Sequence, residues 1–146
     1  MKKLVMLVPV AALLAGCAGT QTLESSVQQS AGNTSSTTSP RSCPGAIPWD
    51  QASTHIGEQV TITGPTISTM YATDSRGKPT FLNIGKPYPD SGRFTVVIWG
   101  YDRDNFPFAP EVEYDNTTIC VTGLVGTYKS IPEIVADTAS DITIVE

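Results

Sequence analysis

Apolar and polar positions divide this chain of 146 residues into three regions. Residues 4–14 are almost uninterruptedly apolar and follow two lysines. Residues 18–42 are rich in Ser, Thr, Gln and Gly, with Leu23 and Val27 as their only sizeable apolar side chains. From Cys43 onward, short runs of β-branched and aromatic residues are separated by Gly, Pro, Asp and Asn. This pattern is typical of β-strands joined by turns, so the third region is predicted to be a β domain.

Five strands are predicted in the β domain. Four of them are the runs QVTITGPTISTMYAT, PTFLNIG, RFTVVIWG and TTICVTGLVGTYKS, and the fifth is either IPEIVA or SDITIVE. Gly64 and Gly123 interrupt the first and fourth runs, where we expect the strand to bend or bulge around a barrel. An irregular segment, YDRDNFPFAPEVEYDN, separates the third strand from the fourth.

A short helix from Trp49 to Ile56 is predicted before the first strand. Pro48 suits a first helical turn, and Asp50 places negative charge near the positive end of the helix. Gly57 suits the position just after the last turn, where a positive φ ends many helices. The predicted order is therefore a helix, three strands, an irregular segment and two strands.

This order resembles the OB-fold, a five-stranded Greek-key barrel. The stretches HIGEQVTITGPT, PTFLNIGKPYP, RFTVVIWG, CVTGLVGTYKSIPEI and DITIV resemble in particular a secreted bacterial OB-fold domain that also occurs beside extracellular nucleases. The likeness runs from about Trp49 to Val145. It implies an all-β barrel of OB type, with a binding surface that is often assigned to nucleic acid. No nuclease module accompanies the domain in this sequence, so the resemblance implies binding without catalysis.

The first region has the features of a secretion signal. Its apolar segment of about eleven residues is shorter than the roughly 20 that a bilayer-spanning helix needs. The segment ends in Leu14, Ala15, Gly16 and Cys17, which resembles the bacterial lipobox. That resemblance implies cleavage after Gly16 and diacylation of the Cys17 sulfur, with palmitate as a typical chain. Two or three acyl chains would anchor the protein firmly to a membrane without spanning it.

The predicted organisation is a lipoprotein signal peptide at residues 1–16, a lipidated flexible linker at 17–42 and the OB-fold-like domain at 43–146. The linker is predicted to be disordered because it cannot bury enough apolar surface to offset the entropy of ordering. Ala18 stands where an aspartate would resemble an inner-membrane retention signal. We therefore expect an envelope protein on the outer membrane facing the periplasm in a Gram-negative cell, and otherwise on the outer face of the cytoplasmic membrane.

Cys43 and Cys120 are the cysteines that remain once Cys17 is assigned to the lipid. An exported domain folds in an oxidising compartment, so we predict a disulfide between them. It would close a loop of about 77 residues, which on the chain-entropy account stabilises the fold by about 4 to 5 kcal/mol. Two free thiols are one alternative. A metal site that includes the lone histidine, His55, is another, although the three residues lack ligand spacing.

The β domain carries six basic and thirteen acidic side chains, a net charge of about −7. A field of this sign repels polyanions, which weakens the case for nucleic acid. Five of the cations nevertheless lie between positions 76 and 103, interleaved with aromatic residues, and single-strand binders combine these two residue types. In the alternative, Phe81, Phe94 and Trp99 fill the barrel and the charges form an ordinary solvated surface. The candidate ligand-binding residues are Arg76, Lys78, Lys86, Tyr88, Arg93, Tyr101 and Arg103.

No pattern in the chain makes a positive case for an enzyme. The sequence has one histidine and lacks G-x-S-x-G, G-x-G-x-x-G and phosphate-loop motifs. The segment YDRDN, residues 101–105, offers carboxylates for Ca²⁺ or for a nuclease-like site, but loop aspartates most often cap turns. We therefore expect no catalytic residue, no metal site and no cofactor.

The sequence thus predicts a membrane-anchored extracytoplasmic lipoprotein that acts as a binding module. The membrane is one partner, through the acylated N-terminus, and single-stranded nucleic acid and oligosaccharide are the candidate ligands of the barrel. The alternative is a structural or assembly lipoprotein that docks an envelope protein through an apolar patch or an exposed strand edge. A metal-dependent phosphodiesterase is a third and weaker hypothesis.

Overall fold

The structure is a computed structural model, and it describes residues 43–145. The predicted signal peptide, the linker and the lipidation site Cys17 lie outside the described residues. The helical segments are short: three 3-10 helices over Trp49–His55, Arg103–Asn105 and Ala139–Asp141, and one α-helix, α1, over Pro110–Glu113. The strands are β1 (Ile47–Pro48), β2 (Gln59–Tyr71), β3 (Thr80–Ile84), β4 (Phe94–Ile98), β5 (Thr118–Leu124), β6 (Gly126–Tyr128), β7 (Ile131–Val135) and β8 (Ile142–Val145).

The eight strands form one open mixed sheet. Its order is β6-β7-β4-β3-β2-β5-β8, and β1 pairs with β2. The pairs β1/β2 and β4/β7 are parallel, and the others are antiparallel. The first half of β2 pairs with β5 as far as Pro65, and its second half pairs with β3 from Thr66. This change of partner falls between Pro65 and Thr66, close to Gly64, where the sequence predicts a bend.

The structure therefore has eight strands where the sequence predicts five. The runs IPEIVA and SDITIVE are alternatives for one strand in the sequence, and both are strands, β7 and β8. The run TTICVTGLVGTYKS is divided at Val125 into β5 and β6. Val125 leaves the ladder because its backbone exchanges hydrogen bonds with Gly57 and Glu58, at 2.8 and 2.9 Å. The two-residue β1 is too short for a sequence pattern to show.

The predicted N-terminal helix is present as a 3-10 helix over Trp49–His55, and Gly57, with φ +86°, follows its end. The Trp49 side chain packs over Gly64 of β2 and Gly85 at the end of β3, where a Cβ on either glycine would overlap the indole. The predicted disulfide is also present and joins Cys43 to Cys120 of β5, with their Cα atoms 6.3 Å apart. The N-terminal segment is thus held to the sheet by packing and by a covalent bond.

The hydrophobic core is formed by one face of the sheet. Leu82, Val96 and Ile134 are neighbours across β3, β4 and β7, and each is fully buried. Ile62 of β2 and its partner Val121 of β5 belong to the same cluster. Burying each such side chain contributes about 1.5 to 3 kcal/mol, so this face accounts for much of the stability of the fold.

The segment between β4 and β5 is irregular, as predicted, and it covers part of the core. Phe106 and Tyr114 are both buried, and the ring of Phe108 contacts each of them edge to face, at centroid distances of 6.4 and 5.5 Å. Burial, with the charges of Glu113 and Asp141, raises the pKa of Tyr114 to about 12. The phenol is therefore held neutral inside the fold.

Candidate ligand-binding groove

A groove with a volume of about 740 Å³ crosses the sheet face formed by β2, β3, β4 and β7. Strand alternation places the groove on the side away from the core. In β3, Phe81 and Asn83 line the groove, whereas Leu82 and Ile84 belong to the core cluster. Because successive side chains of a strand point to opposite faces, the same strands build both the core and the groove floor.

A polar row runs across the groove floor. Ser68, Asn83, Thr95 and Glu133 are successive cross-strand partners on β2, β3, β4 and β7. Neighbouring strands lie about 4.8 Å apart, so the row spans about 14 Å. The Asn83 amide donates to Ser68 Oγ over 3.2 Å. Thr95 is 5% exposed, and its Oγ1 has no hydrogen-bond partner among the described residues. The row therefore includes a buried hydroxyl that residues 43–145 leave unpaired.

Arg93 lies at the end of the groove where β4 begins, and three contacts orient its guanidinium. Its Nε donates to Asn83 Oδ1 over 3.1 Å, and a terminal nitrogen donates to the Asp90 carbonyl oxygen over 2.6 Å. Its Cζ lies 5.2 Å from the centroid of the Tyr88 ring, which is within the range of a cation–π interaction. These contacts hold the loop that joins β3 to β4 against the groove and leave Tyr88 67% exposed.

The hairpin formed by β6 and β7 presents Tyr128 and Lys129 at the same end of the groove. Tyr128 pairs with Ile131 across a two-residue turn in which Lys129 and Ser130 both have positive φ, 49° and 65°. Such turns favour Asn, Asp and Gly, and a left-handed conformation costs other residues about 1 to 2 kcal/mol each. Strain of this kind collects at ligand-binding segments. The turn leaves Tyr128 61% exposed, with Lys129 Nζ 5.3 Å from the ring centroid.

The groove has little net charge. Arg93, Lys129 and Glu133 are the charged residues among those that line it. Burial raises the pKa of the Glu133 carboxyl above its ordinary value. Met70, which is 49% exposed, adds apolar surface beside Phe81, its partner across β2 and β3. The groove thus combines hydrogen-bonding groups with exposed apolar and aromatic surface.

A second cavity of about 220 Å³ continues from this groove. The two cavities share Ser91 and Arg93, and the second is also lined by Trp49 and Ser130. Because the Trp49 side chain is fixed over two glycines of the sheet, one wall of the second cavity is rigid. Together, the two cavities offer an extended surface to a ligand of several units.

Of the seven predicted ligand-binding residues, Tyr88 and Arg93 line the groove. Arg103 lies outside it, where it donates to Thr80 Oγ1 over 2.7 Å and to the Glu111 carboxylate over 2.8 Å. Its Cζ also lies 4.0 Å from the centroid of the Tyr71 ring. Three contacts within the domain thus hold Arg103, and they account for its position without a ligand.

The other four predicted residues also lie outside the groove lining. Lys86 is 3.6 Å from the Asp90 carboxylate, and Tyr101, 76% exposed, stacks on Trp99 at a centroid distance of 6.3 Å. Arg76 and Lys78 are exposed in the loop between β2 and β3. The structure therefore does not gather the predicted cations into one basic groove.

The three aromatic residues expected to fill the barrel have different positions. Phe94 is fully buried in the core, as that alternative predicts. Phe81 is half-buried and lines the groove, and Trp99 is half-buried beneath Tyr101. The barrel-filling alternative is therefore correct for Phe94 alone.

Sequence reasoning missed most residues of the groove. Asn83 and Thr95 are polar residues inside the apolar runs TFLNIG and FTVVI, so a signal was present for these two. Cross-strand register is needed to align them with residues from two other strands, and the sequence does not supply that register. The missed residues include Ser68, Asn83, Thr95, Tyr128, Lys129 and Glu133.

The segment YDRDN lies apart from the groove. Burial and the nearby charge of Asp137 raise the pKa of Asp102. In residues 43–145, no group of three or more His, Cys, Asp or Glu side chains is placed to hold a metal ion. No helix within that part of the chain has the length and apolar character needed to cross a bilayer.

Comparison with known proteins finds slight structural likenesses and no related sequence. No family model and no curated protein matches the sequence. An asparaginyl-tRNA synthetase from Pyrococcus horikoshii, complexed with asparaginyl-adenylate, is 15% identical with a TM-score of 0.41, over 62% of this chain and 20% of that chain. A protein assigned as an aspartyl-tRNA synthetase from Leishmania major Friedlin is 15% identical with a TM-score of 0.43, over 81% and 22%. This chain spans about a fifth of either synthetase, and likenesses this slight carry no inference about function.

Proposed function

We propose that this protein is a lipid-anchored extracytoplasmic binding module, and that its ligand lies in the groove formed by β2, β3, β4 and β7. The N-terminal lipobox supports the anchor, with Cys17 as the acylated residue. Anchoring by acyl chains at the end of a flexible linker would place the β domain in the cell envelope, outside the cytosol.

The strand pairing supports an OB-type barrel within the sheet. The five strands β2, β3, β4, β5 and β7 carry the antiparallel pairs β2/β3, β3/β4 and β2/β5, and β7 adds in parallel to β4. OB-folds bind ligands on the face of their second and third strands and at the adjoining loops. The groove lies on the corresponding strands, β3 and β4, and it reaches Ser75 in the loop between β2 and β3 and the hairpin turn at Lys129.

The observation that carries the proposal is the content of the groove. It holds a buried hydroxyl that has no partner in the described part of the chain, an oriented arginine and two exposed tyrosines, all on one face. An unpaired polar group opposes folding by about 1 to 3 kcal/mol, and exposed aromatic rings gain nothing from burial in the free protein. A ligand that filled the groove would pair the hydroxyl and bury the tyrosine rings.

Binding by full-length protein in detergent tests the proposal. The probes are fluorescently labelled oligothymidylate and labelled neutral hexasaccharides, followed by fluorescence polarisation. We expect binding of one probe class to weaken in Tyr88→Ala and to be unchanged in Tyr101→Ala, because Tyr101 is an equally exposed tyrosine outside the groove. Binding that Tyr101→Ala weakens and Tyr88→Ala does not would refute the assignment of the groove.

Acylation has its own test. Cells grown with radioactive palmitate are expected to label the wild-type protein and not a Cys17→Ser variant. Wild-type protein that takes up no label would refute the anchor, whatever the groove binds.

The exposed edge of β8 favours a second candidate function, docking of an envelope protein. Among the described residues β8 pairs with β5 alone, so its other edge can accept a further strand. In that case one envelope protein should co-purify with the lipoprotein at high salt. A lysine at Thr143, which is exposed on β8, should abolish that association because charged edges oppose strand addition.

A further inference from the structure

We infer that the ligand of the groove is a neutral oligosaccharide rather than a nucleic acid, an inference that rests on the proposed binding function of the groove. Three features of the groove carry it: its charge, the donors and acceptors of its polar row, and its two exposed tyrosine rings.

The charge of the groove does not suit a polyanion. Of the six cations of the β domain only Arg93 and Lys129 line it, and the Glu133 carboxyl lies on the same floor. Both cations lie beside tyrosine rings, and Arg93 also donates to Asn83 and to a backbone carbonyl. A phosphate chain in this groove would approach a carboxylate and would meet an excess of negative charge on the rest of the domain. A neutral ligand meets neither penalty.

The polar row matches the hydroxyl groups of a sugar. The Glu133 carboxylate is an acceptor only and needs a donor from the ligand, whereas the phosphodiester backbone of a nucleic acid offers acceptors only and its donors are confined to the bases. Thr95 Oγ1 can donate and accept, and it has no partner among the described residues. The Ser68 hydroxyl accepts from Asn83, and its own proton is donated to no acceptor within residues 43–145. Sugar hydroxyls both donate and accept, so they can satisfy every member of the row.

The two tyrosines suit the faces of sugar rings. Tyr88 and Tyr128 flank the end of the groove where β4 and β7 begin, and each keeps more than half of its surface exposed. The C–H groups on one face of a pyranose form an apolar patch that packs flat against an aromatic ring, with the hydroxyls at its edge. A chain of sugars could therefore cover the tyrosines and reach the polar row, and the adjoining cavity beside Trp49 would accept a further unit.

Affinity and its salt dependence separate the two ligand classes. The probes are labelled cellohexaose, maltohexaose, hexa-N-acetylchitohexaose and mannohexaose, with oligothymidylate as the anionic probe, each titrated against full-length protein in detergent. We expect at least one hexasaccharide to bind with an affinity that changes less than about twofold between about 50 and 200 mM salt. A single strand held by Arg93 and Lys129 alone would lose about sevenfold over the same range, since each phosphate contact contributes a slope of about −0.7.

Three variants locate the sugar. Tyr88→Ala and Tyr128→Ala are each expected to weaken hexasaccharide binding about three- to tenfold. Thr95→Val removes only the unpaired hydroxyl and is expected to weaken binding about two- to tenfold. The matched controls are Tyr101→Ala and Thr143→Val, which change the same residue types outside the groove and should leave binding unchanged. Thermal unfolding of each variant shows whether the fold is retained.

The outcomes are distinct. Steeply salt-dependent oligothymidylate binding that Tyr88→Ala weakens, with no hexasaccharide bound, would overturn the sugar and leave the groove as a binding site. Hexasaccharide binding that the three groove variants leave unchanged would also overturn the inference. If neither probe class binds, both the sugar ligand and the proposed binding function are refuted.

Discussion

Among the glycines with a left-handed backbone, Gly85 is the one at which substitution by alanine should lower the free energy of unfolding most. Gly85 has φ +75°, and a Cβ there would overlap the Trp49 indole. Gly57 provides a matched control because its φ is +86° and a Cβ there would meet no atom within 4 Å. Gly57→Ala should therefore show the backbone penalty alone, about 1 to 2 kcal/mol. Gly85→Ala adds displacement of a packed ring, about 1 to 3 kcal/mol more.

The assay is urea unfolding of the oxidised protein followed by far-ultraviolet circular dichroism, which does not depend on tryptophan emission. In a Trp49→Ala background the extra penalty of Gly85→Ala should vanish, because no indole remains to be displaced. Equal destabilisation by Gly57→Ala and Gly85→Ala would refute the packing of Trp49 on Gly85. An extra penalty that persists without Trp49 would place its cause elsewhere.

Three further predictions concern the disulfide and two titrating side chains. Replacing Cys43 and Cys120 together by alanine should lower the free energy of unfolding by about 4 kcal/mol, because the bond closes a loop with a sequence separation of 77. Urea unfolding measures this loss. An unchanged unfolding midpoint would show that the bond is not formed. Folding raises the pKa of Glu133, so the charged carboxylate opposes folding at neutral pH. The Glu133→Gln variant should therefore be more stable than wild type at pH 7. This gain in stability should disappear as pH falls below about 4, where the carboxyl is protonated in both states. A stability gain of Glu133→Gln that grows as pH falls would contradict the upward direction of the pKa shift. The phenol of Tyr114 ionises at about 12 when folded and near 10 when unfolded, so wild-type stability should fall as pH rises above about 10, and Tyr114→Phe should lack this loss in alkaline urea unfolding.

Several features could be predicted because they depend on neighbours along the chain. Pro48 and Gly57 delimit the N-terminal 3-10 helix within one residue of its predicted end. The runs of β-branched and aromatic residues in TFLNI and FTVVI predict β3 and β4, and the cysteine count predicts the bond between Cys43 and Cys120. These signals are local or compositional, so no knowledge of strand pairing is needed to use them.

The groove could be predicted only in part. The prediction selected cations because they cluster in sequence, yet Arg103 is held by Glu111 and Lys86 lies beside Asp90. A cluster between positions 76 and 103 spans two strands and parts of three connecting segments, whose side chains point in different directions. Sequence proximity therefore brought Tyr88 and Arg93 together and left the rest apart.

By itself, the sequence determined that an apolar N-terminal stretch and a polar stretch precede an acidic region rich in β-strand patterns, because composition and periodicity are properties of consecutive residues. Tertiary structure alone decided which residues face one another. The row of Ser68, Asn83, Thr95 and Glu133 exists because four strands, two of them distant in sequence, pair in one register. If any of these strands shifted its register by one residue, its member of the row would point into the core instead of the groove. The register of the strands, and not the composition, therefore decided the chemistry of the groove.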